Sequence, residues 1–300
     1  MKEHKGVDPI TMSVVFHRLG TINKEMGITM MRTSRSPIFA EVHDFSCAIC
    51  DWVPRIVAQV DGVPSHTASS MMAARAIVDK FRDEMKPGDV YLINDPYEGG
   101  THLADVTVVK PIYYQGELLF MAINRAHHLD IGGMVAGSYS PEAREIFHEG
   151  IRIPAIRVYE KGEPIQYMID LLKINTRMPD LFESDIRAQV ASCNVAERRL
   201  LEMADELGTE RVKEILDGIQ VYAEQMMRAE IAKIPDGLYE GEAILDDDGF
   251  DRRDIKVKVT IKVDGDEMWV DFDGTDPQTT GFINSPFANS CTSVYVAVLT

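Results

Sequence analysis

The residues best suited to chemistry are histidines and an aspartate in the first half of the chain. His102 and Asp105 stand three positions apart in the segment THLAD, and His127 and His128 follow in the segment RAHHLD. Two imidazole nitrogens and one carboxylate oxygen suit Zn²⁺ or an ion of the Mn²⁺ or Fe²⁺ type, with coordination positions left open. Such an ion polarises a carbonyl oxygen and lowers the pKa of water. The alternative interpretation is that these histidines only form hydrogen bonds within a sheet.

Two strand-like runs carry these residues, and the turn between the runs decides whether they meet. VTVVKPIYY and ELLFMAINRA flank Gln115-Gly116, which predicts a β-hairpin. This turn opposes Ala104 to His127, and strict alternation then directs Asp105 to the other face. A shared site therefore requires that the strand begins after Asp105 or is bulged there. Pro111 has no amide hydrogen, which predicts that its strand is at an edge or bulged at that position.

The segment RSPIFAEVHDFSCAIC offers further candidate groups ahead of a strand-like run. Glu41, His43 and Asp44 could bind a metal or transfer protons, although a polar loop entering a strand is the alternative. Cys47 and Cys50 have the spacing of a redox or zinc motif. Strand alternation directs the two thiols to opposite faces, so we expect both to pack in the core.

Composition limits the class of protein. Of 300 residues, 45% are hydrophobic and 26% are charged, with a formal net charge of −17. This indicates a globular chain and disfavours nucleic acid and anionic membrane surfaces as partners. Four cysteines do not form a secreted disulfide framework, and no apolar run has the length of a signal peptide or a membrane span, so we expect a cytoplasmic protein. Nucleotide-binding glycine motifs and a GxSxG elbow are absent from the sequence.

Helical and strand-like patterns come in blocks, which predicts an α+β fold with mixed or antiparallel sheets, hairpins and packed helices. The predicted elements include a helix over residues 8–31 capped by Asp8, a helix from Ser65 to Met85, a helical pair starting at Ser184 or Asp185 and at Thr209, and a hairpin turning at Asp264-Gly265. We expect residues 1–234 to form the α+β domain with the metal site and residues 235–300 to begin a β-rich region. The chain ends in the apolar run SVYVAVLT, from which we expect a longer protein.

Several long segments resemble one family of enzymes. They are RSPIFAEVHDFSCAI, GDVYLINDPYEGGTHLADVTVVKPIYYQGELLFMAINRAHHLDIGG, FHEGIRIPAIRVYEKG, INTRMPDLFESDIRAQVAS and DFDGTDPQTTGFINSP. Together they resemble the hydantoinase B/oxoprolinase family, which includes subunits of ATP-dependent hydantoinases, of caprolactamase and of acetone and acetophenone carboxylases. The resemblance extends from about Arg35 to Asn284 and covers most of the chain.

The resemblance implies that this chain holds one divalent metal ion, zinc or manganese. The implied ligands are His102, Asp105, His127 and, as a further ligand, Asp44. We assign proton transfer to His128 or Glu41. The sequence departs from the family pattern after His66, where a glycine would more often follow the next residue, and this difference leaves the substrate open.

The resemblance also implies a partner. In similar systems a hydantoinase A-type subunit with an actin-like ATPase fold binds ATP and phosphorylates an amide or enol oxygen. We therefore expect a hetero-oligomer in which ATP is bound by the partner rather than by this chain. The first hypothesis is a cyclic-amide hydrolase that acts on a lactam, a hydantoin or 5-oxoproline. The alternatives are a subunit of an ATP-dependent ketone carboxylase, and a non-catalytic scaffold whose histidines are purely structural.

Overall fold

Six α-helices and ten β-strands form the part of the chain that the computed structural model describes, residues 8–59 and 62–300. The helices are α1 (Pro9–Thr33), α2 (Thr67–Phe81), α3 (Gln166–Ile174), α4 (Pro179–Leu207), α5 (Thr209–Ile231) and α6 (Phe287–Leu299). The strands are β1 (Phe45–Asp51), β2 (Ile56–Gln59), β3 (Val90–Ile93), β4 (Asp105–Tyr114), β5 (Glu117–His127), β6 (Ile156–Glu160), β7 (Glu163–Pro164), β8 (Gly237–Asp247), β9 (Arg253–Asp264) and β10 (Glu267–Asp271). None of these helices is long and apolar enough to cross a membrane.

The strands form two antiparallel sheets. The larger sheet has seven strands in the order β2-β1-β5-β4-β3-β6-β7, and the smaller has three in the order β10-β9-β8. Neighbouring strands within the described residues pair in antiparallel fashion throughout. This architecture confirms the predicted α+β class with antiparallel sheets. The predicted boundary after residue 234 falls between α5 and β8, and the division into two domains stays a prediction.

Helices cover both faces of the larger sheet, which explains why β1 is buried at every position. On one face Leu19 of α1 and Leu200 of α4 belong to the same buried cluster as Val106 of β4. On the other face Ile77 of α2 packs in a second cluster with Ile123 of β5. Burial of each such side chain stabilises the fold by about 1.5–3 kcal/mol. The central hairpin of β4 and β5 is therefore held between two helical layers.

The first residue of a helix agrees with the sequence prediction only where a local signal in the sequence determines it. Asp8 caps α1 as predicted, since its carboxylate accepts a hydrogen bond from the Ile10 amide at 2.9 Å. The helix predicted from Ser184 begins earlier, at Pro179, because proline fits the first helical turn. Ser65 does not cap α2, because Pro64–His66 form a short 3₁₀ turn before that helix.

The β9–β10 hairpin forms as predicted, but its turn is one residue later. Asp264 pairs with Glu267, which leaves Gly265 and Asp266 in the turn, and Gly265 has the positive φ of 64° that such turns require. The apolar run SVYVAVLT forms the second half of α6 up to Leu299, with Thr300 as its C-cap.

The β4–β5 hairpin turns at Gln115-Gly116 as predicted, but its register changes along its length. Leu119 is an extra residue on β5, so that the pairing beyond it is shifted by one position. Such a β-bulge reverses which residues share a face. As a result Asp105, and not Ala104, lies opposite His127. The predicted register was wrong at this end of the hairpin, and the bulge lies far from Asp105 rather than beside it.

Pro111 lies close to this bulge. The register changes between Ile112 and Tyr113, directly after the proline. Strand β4 is paired on both sides and is not an edge strand, but its pairing with β3 extends only as far as Val109. A residue without an amide hydrogen fits here because the neighbouring ladder has already ended. At Pro111 the strand is therefore locally an edge on its β3 side, and the bulge lies just beyond Ile112, with its extra residue on β5.

Candidate metal centre

Three side chains from two strands and one loop converge at the open end of the β4–β5 hairpin. Asp105 is the first residue of β4, His127 is the last residue of β5, and His102 lies in the loop before β4. One potential ligand atom from each lies within 4.8 Å of the others. Oδ1 of Asp105 is 3.0 Å from Nε2 of His102 and 3.3 Å from Nδ1 of His127. The structure thus brings together three of the four predicted metal ligands.

Two glycines allow the loop with His102 to lie against its neighbours. Gly99 has a φ of 98°, and a Cβ there would lie 2.4 Å from the amide nitrogen of Ala73 in α2. A Cβ on Gly100 would lie 2.4 Å from the carbonyl oxygen of Asn94. The Asn94 side chain in turn donates a hydrogen bond of 2.7 Å to the Leu103 carbonyl. Only glycine permits so close an approach of backbone to backbone.

The second oxygen of Asp105 is held by two further side chains. Nε2 of His66 lies 3.1 Å from Oδ2, and the hydroxyl of Thr101 donates to the same oxygen. His66 is buried, and within the described residues its Nδ1 has no hydrogen-bond partner. Sequence reasoning did not place His66 in the site. The available signal was its position at the start of a helix, in a segment that departs from the family pattern.

These contacts fit a divalent metal ion. The His102 side chain is 37% exposed and the Asp105 side chain 3%, so the carboxylate is enclosed while the imidazole faces open space. Protein metal ligands are usually oriented by hydrogen bonds from residues behind them, and His66 and Thr101 hold Asp105 in this way. Two nitrogen ligands and one oxygen ligand would leave coordination positions of the ion free for water or substrate, as in Zn²⁺ and Mn²⁺ sites of enzymes.

The three side chains line one wall of a cavity of about 820 Å³. Ligand sites in proteins commonly enclose about 300–1,000 Å³. Tyr139 and Phe282 line the same cavity, and their ring centroids are 5.4 Å apart in an edge-to-face arrangement. Asp44, Glu149 and Lys256 also line this space. The cavity can therefore hold a small organic molecule beside the three converging side chains.

Charges in the site shift the protonation of its members. Burial lowers the pKa of His102, but its hydrogen bond to Asp105 and the nearby carboxylates together raise that pKa. Burial raises the pKa of Asp105, yet the three histidines around it hold that pKa well below its usual range. Burial raises the pKa of Glu149, partly offset by His102. Asp105 is thus an anion suited to a cation, whereas Glu149 retains its proton more readily.

Asp44 lies beside this cluster but outside its closest group. Its carbonyl oxygen accepts a hydrogen bond of 3.0 Å from the His127 amide, and the residue lines the cavity. Its charge contributes to the raised pKa of His102. Sequence spacing alone could not place Asp44 near the hairpin. The pairing of β1 with β5 does so.

Glu41 and His128, the predicted proton-transfer residues, lie elsewhere. Glu41 is exposed on a short π-helix, Ile38–Val42. His128 is buried, with Nε2 3.0 Å from Oε1 of Gln189 in α4, and burial lowers its pKa to about 4. Neither residue is among the described residues that line the cavity. His128 follows His127 along the extended chain and so points to the opposite face. The structure does not bring either residue to the cluster.

The two cysteines of the CxxC segment pack as predicted. Cys47 belongs to the buried cluster with α1 and α4, and Cys50 belongs to the cluster with α2. Both are free thiols in the core. Strand alternation therefore separates them on opposite faces of the sheet.

Known proteins are similar to this chain in both sequence and fold. The family model for hydantoinase B/oxoprolinase matches residues 8–300. The chain is 38% identical over 98% of its length to the beta subunit of caprolactamase from Pseudomonas jessenii, and covers 50% of that protein. It is 35% identical over 92% of its length to a putative D-/L-hydantoinase B subunit from Pseudomonas sp. (strain NS671), and covers 48% of it. The chain thus spans about half the length of these curated relatives.

Solved structures agree with this assignment. The crystal structure of ATP-dependent caprolactamase from Pseudomonas jessenii matches with a TM-score of 0.93 and 37% identity, over 98% of this chain and 51% of that one. A nucleotide-free acetone carboxylase matches with a TM-score of 0.88 over 97% of this chain and 40% of that one, but at 18% identity, so the likeness concerns the fold alone. With a family match across almost every residue and relatives above one-third identity, the chain belongs to the hydantoinase B/oxoprolinase family.

Proposed function

We propose that this chain carries the metal site of an ATP-dependent hydrolase that opens cyclic amides, such as a lactam, a hydantoin or 5-oxoproline. The convergence of His102, Asp105 and His127 at the wall of a cavity is the observation that carries this proposal. Relatives named as a caprolactamase subunit and a hydantoinase subunit support a cyclic amide as the substrate class. Because the chain spans about half of those relatives, we propose the activity for the assembly in which this chain works and not for this chain alone.

His102, Asp105 and His127 would hold one divalent ion, zinc or manganese, and Asp44 would complete or orient this ligand set. When bound, such an ion polarises a carbonyl oxygen and lowers the pKa of water. The role of the chain is to present ligands that need little rearrangement. His66 and Thr101 hold one oxygen of Asp105, so the other remains directed at the two imidazoles.

Proton transfer is better assigned to Glu149 than to Glu41 or His128. Glu149 lines the cavity, and its pKa is raised by burial. A carboxyl group that keeps its proton closer to neutral pH can protonate the leaving nitrogen of an opening amide. Tyr139 and Phe282 would pack on the apolar part of the ring and exclude water from it.

A separate ATPase subunit would complete the enzyme. The relatives are named as subunits, and this chain has no nucleotide-binding glycine motif in its sequence. We assign ATP binding to a partner of the hydantoinase A type. Phosphorylation of the amide oxygen by that partner would make the carbonyl carbon easier to attack, since an amide resists attack on its own.

The proposal is tested by reconstituting a complex of this protein with the ATPase subunit. Lactams, hydantoins and 5-oxoproline are screened for ring opening coupled to ATP hydrolysis. We expect at least one of these amides to stimulate ATP hydrolysis, and His102→Ala to abolish ring opening. A metal-free complex with full activity would contradict the proposal, and full activity after replacing both His102 and His127 would favour the scaffold alternative.

The ketone carboxylase alternative is weaker. Its support is a likeness of fold at 18% identity, whereas the caprolactamase relative is 38% identical. The two activities differ in one requirement, because a carboxylase consumes bicarbonate and a hydrolase does not. Dependence of ketone-stimulated ATP hydrolysis on bicarbonate in the same reconstituted complex would favour the carboxylase.

A further inference from the structure

A fully buried arginine lies directly behind the proposed metal site. Arg125 on β5 is completely enclosed and uses its guanidinium as a fork of donors. Nε donates to the Thr107 hydroxyl at 2.7 Å, and one terminal nitrogen donates to the Ser69 hydroxyl. The other terminal nitrogen donates to the carbonyl oxygens of Gly99 at 2.7 Å and Ser69 at 3.2 Å. All four acceptors are uncharged oxygens.

A buried cation whose hydrogen-bond acceptors are all neutral costs stability. The Asp105 carboxylate attracts the Arg125 guanidinium but is not one of these acceptors, so it offsets only part of the lost hydration. Another buried cation of this fold is paired in the usual way. Nζ of Lys110 contacts Glu197 of α4 on the opposite side of the sheet. The arrangement around Arg125 therefore calls for an explanation other than charge pairing.

Arg125 and the three residues that it contacts lie close in sequence to the four side chains of the site. Each stands two or three residues from one of them: Arg125 from His127, Thr107 from Asp105, Ser69 from His66, and Gly99 from His102. Thr107 and Arg125 are moreover the cross-strand pair that follows Asp105 and His127 on the same face of the hairpin. One guanidinium thus ties together β4, β5, the start of α2 and the loop before β4.

We propose that Arg125 is the positioning residue of this site, holding the four segments so that His102, Asp105 and His127 meet at one divalent cation. The inference rests on the metal site proposed above. A positive charge behind the site repels a bound dication, so the benefit must come through hydrogen-bonded geometry. A planar fork of donors supplies that geometry, and a lysine, with the same charge, does not.

Arg125→Lys separates geometry from charge. Zn²⁺ affinity is measured on the purified full chain by competition with a chromophoric chelator at fixed pH and ionic strength. Because loss of a group that orients metal ligands lowers metal affinity about 10- to 100-fold, we expect that decrease for Arg125→Lys. Wild-type affinity in a folded Arg125→Lys variant would overturn the proposal, since charge alone would then suffice.

Lys110→Met is the matched control. Lys110 on β4 is buried, as Arg125 on β5 is. Its partners Asn194 and Glu197, however, lie on α4, on the far side of the sheet from the site. We expect Lys110→Met to lower the thermal unfolding temperature and to leave Zn²⁺ affinity unchanged. If it weakened Zn²⁺ binding as much as Arg125→Lys, general loosening of the fold would explain both results and the proposal would fail.

Two smaller changes keep the proposal testable if Arg125→Lys does not fold. Thr107→Val and Ser69→Ala each remove one acceptor of the guanidinium and keep the arginine. Both variants should bind Zn²⁺ more weakly than the wild type, and wild-type affinity in both would overturn the positioning role. Wild-type protein and His102→Ala are measured first. If the wild type binds no Zn²⁺, the proposed metal site is contradicted. If the wild type binds Zn²⁺ and His102→Ala does not, the metal site is supported, and the Arg125 variants then test the positioning role separately.

Discussion

Asp105 and His127 lie directly opposite each other at the open end of the β4–β5 hairpin, with Oδ1 of the carboxylate 3.3 Å from Nδ1 of the imidazole. The pair occupies the first residue of one strand and the last residue of the other. The His127 side chain is 23% exposed at the cavity and the Asp105 carboxylate is enclosed beside it, while both backbones remain in the central ladder of the sheet. A rigid frame therefore carries ligands that are open to a small molecule.

His102→Ala should remove the metal and keep the fold. The side chain lies in a loop and is 37% exposed, so its truncation should lower the free energy of unfolding by no more than about 1 kcal/mol. Metal analysis of the purified protein should find about one ion per wild-type chain and none in the variant. His17→Ala, at an exposed position of α1, is the control and should keep the ion. A stoichiometric ion in His102→Ala would exclude His102 as a ligand.

Replacement of His66 should weaken metal binding without removing a ligand. His66→Leu leaves Oδ2 of Asp105 with the Thr101 hydroxyl as its remaining side-chain partner. We expect about a 10-fold loss of Zn²⁺ affinity, because the carboxylate is then less firmly oriented. His66→Gln keeps an N–H donor and should lose less. Equal affinities of the two variants and the wild type, measured by chelator competition, would show that His66 does not orient the site.

Asp185 should make stability depend on pH. This α4 carboxylate is buried beside Ser34, and burial raises its pKa to about 6. The folded state therefore holds the proton more tightly than the unfolded state, so this group costs stability progressively as pH rises from about 4 to about 6 and by a constant amount above that. Asp185→Asn removes the cost and should stabilise the protein at pH 8 by roughly 1–3 kcal/mol.

The measurement is thermal unfolding at pH 5 and pH 8. We expect the gain from Asp185→Asn to be larger at pH 8 than at pH 5. Asp83→Asn, at an exposed position, should change the unfolding temperature little at either pH. A gain for Asp185→Asn that is larger at pH 5 would have the wrong sign for a carboxylate with a raised pKa.

Thiol labelling should distinguish the core cysteines from the one on α6. Cys47, Cys50 and Cys193 are buried, and burial raises the pKa of Cys47 to about 12. Thiolates are the reactive form, so native protein should react with a thiol reagent mainly at the half-buried Cys291. Cys291→Ser should remove most of this reaction, and denaturation should expose the remaining three. Fast labelling at Cys47 in the native protein would argue against the core packing described above.

Local patterns in the sequence determine much of the frame. The cap at Asp8, the turn at Gln115-Gly116 and the class of fold follow from propensities and periods that act over a few residues. The alternation around Cys47 and Cys50 places them on opposite faces for the same reason. The hairpin also predicts that the segments carrying His102 and His127 meet, whereas Asp105 was expected beside them only if its strand was irregular there, or from the family resemblance.

Tertiary packing decides the details on which the site depends. The bulge at Leu119, and with it the choice of Asp105 as the residue opposite His127, arises where the hairpin meets the core, and no alternation of polar and apolar residues marks it. His66 reaches Asp105 from a position distant in the chain, and Arg125 on β5 contacts Ser69 only once α2 packs on the sheet. Sequence spacing determines which residues are neighbours along one helix or strand. Which residues bind a metal, and which groups orient them, depends on the contacts between different elements in the folded chain.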